Sequence, residues 1–515
     1  MTASWKSLLV LLAMLLPALL VGLGERPVYK IQEVRIAETA REMLASGDWV
    51  VPRYNGELRL QKPPLPYWLT AASYRIAGVN EAATRLPAVL FGLLSALLVW
   101  GWARREAGLK IAANSMLVLV ASYLGLRYCR SGEADVVLLF FISAASMLGY
   151  DMLRGRHDAV RRALFGLVLG LGFLSKGPAA LAIPLLTLLV MGVIEKRSGR
   201  LLPRLQHMVK QFVSLPGVVL LCVAAFGWYV WIVWQFPEIA QHFFGKQVDE
   251  TFVSATHAKR LWWYLAHWFE FFAPWGVLLI PASWMAYRQR NVVTMPSLLK
   301  FAWVWLAVVF VLLTAIVNKQ MQYALLFAPP LAIIIGHYLA QAQGRFIKTN
   351  RILFQIFCVV ALVGIIIALR KSTDIPHALL WLALPLVPLV LQRQLRDNTI
   401  SAPVLLVAGV TAMIYLYSEA NLSKEPHKVA AQTLMAEAAQ HALLYQPRTG
   451  LSDGALSFYA GRVVPPIDAN EISALLQIQP ELWLVGEQIP DLPDVRVQVV
   501  AQVNELKLCR LQRKS

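Results

Sequence analysis

Residues 134–153 read ADVVLLFFISAASMLGYDML, a long apolar run that opens with the carboxylate of Asp135. A hydrocarbon core of about 30 Å requires about 20 such residues in a helix, so this run predicts a transmembrane helix. The whole chain has the same character: 58% of its 515 residues are hydrophobic, 15% are charged and the mean hydropathy is +0.56. Soluble proteins carry about 25% charged residues, so the composition excludes a soluble or a disordered chain.

Similar apolar runs give about thirteen predicted membrane spans and an all-α, polytopic membrane fold. Some runs are short, and Pro178 starts one of them, so the division around Lys176 is open. The predicted spans lie near 7–24, 86–102, 111–127, 134–153, 163–175, 178–194, 213–235, 270–287, 300–317, 323–341, 352–369, 376–392 and 401–418.

The charged loops between these spans predict the orientation of the chain. Arg and Lys clusters fall in alternate loops, for example at 154–162 and 196–210. The positive-inside rule places these loops and the N-terminus in the cytoplasm, and segments 25–85 and 236–269 on the other side. The net charge of +18 therefore indicates orientation and contact with anionic membrane lipids, and it does not require nucleic acid.

The tail from residue 421 has a different pattern of hydrophobic and polar residues. An Ala-rich helical stretch at 429–444 precedes short alternating runs at Leu482 to Val485 and Val495 to Val503. This pattern predicts a small α/β domain on the non-cytoplasmic side. We therefore divide the chain into a membrane domain at 1–420, which includes the loops 25–85 and 236–269, and a C-terminal domain at 421–515.

The first long loop is unusually polar for a segment between membrane spans. Ile31 to Leu44 has helical spacing, and Ser46-Gly47 is expected to end the helix. One interpretation is a solvated amphipathic helix at the lipid headgroups. The loop also carries positive charge that the orientation rule does not require, at Arg35, Arg53, Arg59 and Lys62. This charge favours a phosphate-bearing substrate.

Further ionisable residues lie at the ends of predicted spans. A carboxylate at the position of Asp135 is costly in a membrane and indicates either a functional site or a structural ion pair with Arg130. Lys176 stands between two apolar runs with no acid nearby in sequence, so it is either a snorkelling lysine or an anion contact. Lys319 and Tyr323 repeat this pattern.

Several of these stretches together resemble the bacterial polyprenyl-phosphate glycosyltransferases of the protein-mannosyltransferase superfamily. The resemblance is greatest to the lipid A 4-amino-4-deoxy-L-arabinose transferases and covers roughly residues 20–340. The matching pieces are QEVRIAETAREMLASGDWVVPRYNG at 32–56, QKPPLPYW at 61–68, EADVVLLFF at 133–141, LGFLSKGPAALAIPLL at 171–186, GWYVWIV at 227–233, FPEIAQHFF at 236–244, WWY at 262–264 and the lysine-tyrosine stretch at 319–323.

The resemblance implies a GT-C membrane fold with a periplasmic C-terminal domain in a bacterial inner membrane. Such enzymes move a sugar from undecaprenyl phosphate to an acceptor at the periplasmic face without a nucleotide sugar. The implied catalytic positions are Asp135, Glu33 and Gln32. The resemblance implies that Arg35 and Lys62 hold phosphate and that Lys176, Lys319 and Tyr323 line the donor or acceptor cavity. The positive charge of the loop adds Arg59 as a further substrate-binding position.

This chain departs from the family pattern at three places. Gln32 stands where the family has its main catalytic aspartate, and an amide cannot act as a general base. Gln61 and the pair Gln247-Val248 replace residues of a zinc site, so we predict no metal and no cofactor. A phosphate acceptor is largely ionised at neutral pH and needs no base, whereas a hydroxyl acceptor would need one, with Glu33 nearest.

The leading hypothesis is therefore sugar transfer from undecaprenyl phosphate to lipid A phosphate or a related envelope glycan. One alternative is a transferase that acts on a protein or polysaccharide hydroxyl. Another is a paralogue that binds the carrier lipid without chemistry. A transporter is disfavoured because the polar first loop is long and no two-half repeat is present in the sequence.

Overall fold

A computed structural model describes most of the first 342 residues and most of the last 72. The described ranges are 3–28, 30–60, 62–195, 209–238, 258–289, 295–342, 444–447, 453–486, 489–503 and 506–514, with short helical stretches and single positions between 352 and 434. The chain forms two compact units, the first built from Met1–Val21 and Ala88–Ser418, the second from Gly22–Pro87 and Glu419–Ser515.

The first unit is a bundle of apolar helices. Its described helices are α1 (Ala3–Leu20), α4 (Glu81–Ala107, which starts in the second unit), α5 (Leu109–Val120), α6 (Tyr123–Cys129), α7 (Asp135–Leu153), α8 (Ala159–Lys176), α9 (Ala179–Glu195), α10 (Leu215–Gln235), α11 (Trp263–Ala266), α12 (Trp268–Phe271), α13 (Leu279–Gln289), α14 (Ser297–Ala315) and α15 (Ala328–Gln341). Helices α8 and α10 cross where a Cβ on Gly166 would overlap the carbonyl oxygen of Gly217.

Within the described residues, five helices are long and apolar enough to cross a membrane, or six if α5 and α6 form one broken span. This confirms a multi-pass membrane protein, while the count of thirteen stays a prediction. The predicted spans 352–369, 376–392 and 401–418 lie largely outside the described residues. The division around Lys176 is confirmed, because α8 ends at Lys176 and α9 begins at Ala179.

Two predicted spans are not continuous helices. The span near 111–127 is bent by 67° between α5 and α6, where Ser122 accepts a hydrogen bond from Gly125 N and caps the new helix. The span near 270–287 consists of α12, a 3-10 turn at Trp275–Leu278 and α13. Pro274 interrupts it, because proline cannot donate the backbone hydrogen bond that a continuous helix requires.

The second unit joins the first long loop to the C-terminal tail. The loop supplies α2 (Ile31–Ser46), a hairpin of β1 (Arg53–Tyr54) and β2 (Glu57–Leu58), and α3 (Leu65–Ala77). The tail supplies β3 (Leu444–Pro447), α16 (Asp453–Ala460), β4 (Pro466–Ile467), α17 (Ala469–Ile478), β5 (Leu482–Gly486), β6 (Val495–Val503) and β7 (Leu506–Arg513).

The tail folds as an α/β sheet, as its alternating sequence predicts. The strand order is β4-β3-β5-β7-β6, parallel where β3 pairs with β4 and with β5, and antiparallel on either side of β7. The strands at Leu482–Gly486 and Val495–Val503 match the predicted runs. The predicted helix at 429–444 lies almost wholly outside the described residues.

Helix α2 is buried on both of its faces. It ends as predicted, with Gly47 in the left-handed conformation (φ 73°) and its N–H bonded to Met43 O. The apolar face packs with Phe458 of α16, and the opposite face is also buried at Glu33, Glu38 and Arg41. The interpretation as a solvated helix at the headgroups is therefore wrong, because its charged residues are paired inside the unit.

Candidate functional site

The first candidate site is an ion pair between the start of α7 and the end of α8. Lys176 Nζ donates a hydrogen bond of 2.5 Å to Oδ2 of Asp135. The carboxylate is almost fully buried, with 5% of its side chain exposed, whereas 21% of the lysine side chain is exposed. Helices α7 and α8 pack against each other, which brings their ends together. The partner of Asp135 is thus Lys176, not the neighbouring Arg130 that the sequence suggested.

An aromatic ring completes this pair. The Nζ atom of Lys176 lies 5.6 Å from the centre of the Tyr323 ring, within cation–π range. Tyr323 belongs to a 3-10 helix at Met321–Phe327 that packs on α6 and α7. Lys319, just before this helix, is buried, and its ammonium donates a bond of 2.6 Å to Ile316 O.

Two further side chains, Tyr128 and Arg127, lie near the pair, and the sequence did not indicate either as a site residue. The hydroxyl of Tyr128 lies in the electrostatic field of Asp135, Glu133 and Arg127. Arg127 donates to Tyr123 Oη at 3.1 Å and lies over the Tyr128 ring. A possible signal was the sequence LRYCRSGEAD, which places two arginines within eight residues of Asp135.

This cluster can bind an anion and hold a carboxylate ionised at the same time. Lys176 neutralises the buried Asp135, which removes most of the cost of keeping that carboxylate charged. Because the lysine is one-fifth exposed, its remaining hydrogen-bond donors are open to a ligand. A site of this kind can stabilise negative charge on a phosphate while a fixed carboxylate orients a reacting group.

The second candidate site lies in α2, and its first acid is tied to two arginines. Glu33 is fully buried and accepts from Arg85 Nε at 2.8 Å and from Arg26 Nη2 at 3.2 Å. The same Arg85 also donates to the carbonyl oxygens of Leu23 and Pro27. Because both carboxylate oxygens face guanidinium groups, the environment of Glu33 is that of a structural ion pair rather than a general base.

A second acid–arginine group lies one turn further along α2. Arg41 donates two hydrogen bonds of 2.7 Å to the carboxylate of Glu38. Burial raises the pKa of Glu38 to about 8; Arg41 opposes this shift, and the nearby carboxylate of Glu42 adds to it. Glu42 in turn accepts from the N–H of Gly56, which ties α2 to the β1–β2 hairpin.

The basic residues of the loop differ in how they are held. Arg59 donates from Nε to Tyr67 Oη at 3.1 Å and stacks 5.4 Å from the centre of the Tyr54 ring. Among the described residues no carboxylate pairs with it, so its charge remains available for an oxyanion. Arg35 and Lys62 are half-buried in the same unit.

The predicted site residues therefore fall into two groups. Gln32 is exposed at the start of α2, in contrast to its buried neighbour Glu33. One group lies in the first unit and comprises Asp135, Lys176, Lys319 and Tyr323, and the other lies in the second unit and comprises Gln32, Glu33, Arg35, Arg59 and Lys62. The substituted positions 61, 247 and 248 lie outside the described residues, so the prediction of no metal stays a prediction.

The sequence and the fold have known relatives. Residues 61–231 match the family described as dolichyl-phosphate-mannose-protein mannosyltransferase. Two relatives are named undecaprenyl phosphate-alpha-4-amino-4-deoxy-L-arabinose arabinosyl transferases. The protein from Edwardsiella ictaluri is 30% identical over 68% of this chain and 62% of its own length. The protein from Proteus mirabilis is 28% identical over 67% of this chain and 61% of its own length. The matched part of the chain thus spans less than two thirds of the length of each of these relatives.

Solved structures extend the likeness to the whole chain. The crystal structure of ArnT from Cupriavidus metallidurans bound to undecaprenyl phosphate aligns over 99% of this chain and 98% of that one, with a TM-score of 0.79 and 22% identity. The apo oligosaccharyltransferase of Archaeoglobus fulgidus aligns over 89% of this chain and 64% of that one, with a TM-score of 0.52 and 13% identity. These matches show that the chain shares the fold of these proteins.

Proposed function

We propose that the chain is a polyprenyl-phosphate-dependent glycosyltransferase of the GT-C superfamily, because it resembles the aminoarabinose transferases of lipid A in sequence and in fold. The donor is a sugar on undecaprenyl phosphate, and the acceptor is a phosphate of lipid A or a related envelope glycan. The enzyme resides in a bacterial inner membrane, with a cytoplasmic N-terminus and a periplasmic C-terminal domain at 421–515.

The reaction requires one bond to form and one to break at the anomeric carbon. An acceptor oxygen attacks this carbon, and the bond between the carbon and the lipid phosphate oxygen breaks. The departing undecaprenyl phosphate gains negative charge, so the transition state is stabilised by cations placed where that charge develops. The acceptor must also be held in line with the breaking bond, because positioning supplies much of the rate.

The observation that carries the proposal is the contact of Lys176 with both Asp135 and Tyr323. Asp135 fixes the ammonium by a 2.5 Å bond, and the centre of the Tyr323 ring lies 5.6 Å from it. An ammonium fixed in this way binds the departing phosphate, and the Asp135 carboxylate orients the acceptor. Lys319, just before the 3-10 helix that carries Tyr323, provides a further buried cation.

In the second unit, the phosphate-binding role falls to Arg35, Arg59 and Lys62. Arg59 is the best prepared of the three, because Tyr67 and Tyr54 fix its guanidinium while its charge remains available. Glu33 has a structural role in this proposal, since two arginines hold its carboxylate.

The burial of Glu33 bears on the nature of the acceptor. With Gln32 in place of an acid and Glu33 sequestered, Asp135 is the carboxylate left to act on an acceptor among the predicted catalytic residues. Asp135 is itself bonded to Lys176, which lowers its value as a base. A phosphate acceptor is already ionised at neutral pH, so this arrangement favours it over a protein or polysaccharide hydroxyl.

The test is mass spectrometry of lipid A from a deletion strain that carries the wild-type gene, Asp135→Asn or Asp151→Asn. Asp151 is a matched control, since it lies at the other end of the same helix and pairs with Arg105 and Arg156. We expect a sugar-sized mass increment on lipid A phosphate with the wild type and Asp151→Asn, and its loss with Asp135→Asn at equal protein level.

Lipid A without any such increment in the wild-type strain would refute lipid A as the acceptor. Binding of undecaprenyl phosphate without transfer to any envelope glycan would instead support the second candidate, a carrier-binding protein without chemistry. The exposed amide of Gln32 favours that candidate, since it stands where relatives of this kind have an acid.

A further inference from the structure

Arg127 is a cation without a counter-ion in the described part of the first unit. The groups that interact with it electrostatically are the phenols of Tyr123, Tyr128 and Tyr415. Its Nη1 donates to the Tyr123 hydroxyl, whereas its Nε is buried and has no hydrogen-bond partner. Partial removal of a guanidinium from water without a compensating anion is unfavourable, so an anion at this position would be stabilising.

The other buried arginines of the described chain show how such a charge is normally satisfied. In the second unit, the buried Arg85 and Arg26 share the carboxylate of Glu33. Arg127 is half-buried, and tyrosine hydroxyls and rings contact it in place of a carboxylate in the described structure. Phenols orient a guanidinium without neutralising it, which leaves its charge for a ligand.

The position of Arg127 links it to the Asp135–Lys176 pair. It lies on α6, and both α6 and α7 pack on the 3-10 helix that carries Tyr323. Arg127 lies over the ring of Tyr128, and Tyr128 interacts electrostatically with Asp135. The guanidinium therefore adjoins the cluster that contains Lys176.

We infer that Arg127 is an additional oxyanion-binding residue of this cluster, and that its ligand is a phosphate group on a lipid. The guanidinium fork suits a phosphate because two of its N–H groups can meet two phosphate oxygens. This inference rests on the proposed function, which supplies two such groups: the phosphate of the carrier lipid and the phosphate of the acceptor.

The experiment measures lipid binding by the full-length protein in detergent, without turnover. The probes are undecaprenyl phosphate, undecaprenol, phosphorylated lipid A and enzymatically dephosphorylated lipid A. The variants are Arg127→Gln, which removes the charge, and Arg127→Lys, which keeps the charge but not the fork. Arg162→Gln is the matched control, because Arg162 also has a buried Nε without a partner and bonds only through Nη1 to Lys210 O.

For Arg127→Gln we expect the affinity for one phosphorylated probe to fall about 10-fold or more, the size of one lost charge-assisted contact. The affinity of Arg127→Lys should fall less, and Arg162→Gln should bind the probes as tightly as the wild type. A loss for undecaprenyl phosphate but not undecaprenol assigns the site to the donor. A loss for phosphorylated lipid A but not its dephosphorylated form assigns it to the acceptor.

Wild-type affinity for both phosphorylated probes in Arg127→Gln would overturn the inference, even if the variant were less stable, because Arg127 would then only pack against tyrosines. Failure of the wild type itself to bind either phosphorylated probe would overturn the proposed function, and the inference with it. The wild-type measurement thus separates the two failures.

Discussion

Lys176 Nζ and Asp135 Oδ2 lie 2.5 Å apart, although 41 residues separate them in the chain. The pair joins the last residue of one membrane helix to the first residue of another. It is both a polar contact between α7 and α8 and the centre of the proposed site. Its structural and functional contributions can be separated by mutation.

Lys176→Met is expected to destabilise the first unit by about 3 kcal/mol, because it leaves a buried carboxylate without its cation. Thermal unfolding in detergent measures this change. The double variant Asp135→Asn/Lys176→Met should regain most of the lost stability, since no charge is then left unpaired. It should remain inactive in sugar transfer. Recovery of transfer by the double variant would contradict the role assigned to the pair.

Glu33→Gln is expected to lower the stability of the second unit by about 3 kcal/mol, because Arg85 and Arg26 both lose their buried counter-ion. Chemical denaturation followed by tryptophan fluorescence measures the loss. The control is Gln32→Ala, one residue away and exposed, which should change stability by about 0.5 kcal/mol or less. Equal losses of stability in the two variants would show that the ion pairs of Glu33 do not stabilise the second unit.

Gln32→Asp tests the acceptor. An acid in the first turn of α2 should stabilise the helix by about 0.5 kcal/mol through the helix dipole, so the variant should fold. With a phosphate acceptor the transfer rate should change little, since no base is required. Transfer to a hydroxyl acceptor should rise about 10-fold or more. Comparison of initial rates on lipid A and on a hydroxyl-bearing glycan therefore distinguishes the two acceptor classes.

The stability of the second unit should fall as the pH rises toward about 8. Burial raises the pKa of Glu38 from 4.5 to about 8, so the folded chain holds a proton that the unfolded chain releases over this range. The contribution is complete below pH 4.5 and is lost as the pH passes through the folded-state value. Melting temperatures measured from about pH 6 to about pH 9 should decline with a slope that Glu38→Gln removes.

Glu481→Gln is the control for this pH dependence. A hydrogen bond from Arg510 lowers the pKa of Glu481, so this carboxylate is already ionised in both states over the measured range. The decline in melting temperature should therefore persist in Glu481→Gln. A decline that also persists unchanged in Glu38→Gln would rule out Glu38 as its source.

Local sequence pattern was sufficient for most individual elements. Helix α7 starts at the predicted aspartate, α2 ends at the predicted glycine, and β6 has the predicted bounds, because apolar periodicity and capping residues act over a few positions. The breaks at Ser122 and Pro274 were missed, since an apolar run has the same composition whether or not its helix is continuous.

Which charges pair with which was decided by the tertiary structure. The polar face of α2 reads as a solvated surface, yet Glu33 is neutralised by Arg85, 52 residues away, within a core that also includes Phe458 of the tail. Arg127 read as one of several charges near Asp135, and only the structure shows its bond to the Tyr123 hydroxyl and its buried Nε without a partner.

The sequence by itself therefore determined that this is a multi-pass membrane protein with short motifs that resemble those of glycosyltransferases, because hydrophobicity and short motifs are local properties. Only the fold decided that Lys176 pairs with Asp135, that two arginines hold Glu33 and that Arg127 meets no carboxylate in the described structure. Electrostatic energy depends on the distance between charges and on their burial, and both are set by helices that pack across long stretches of chain.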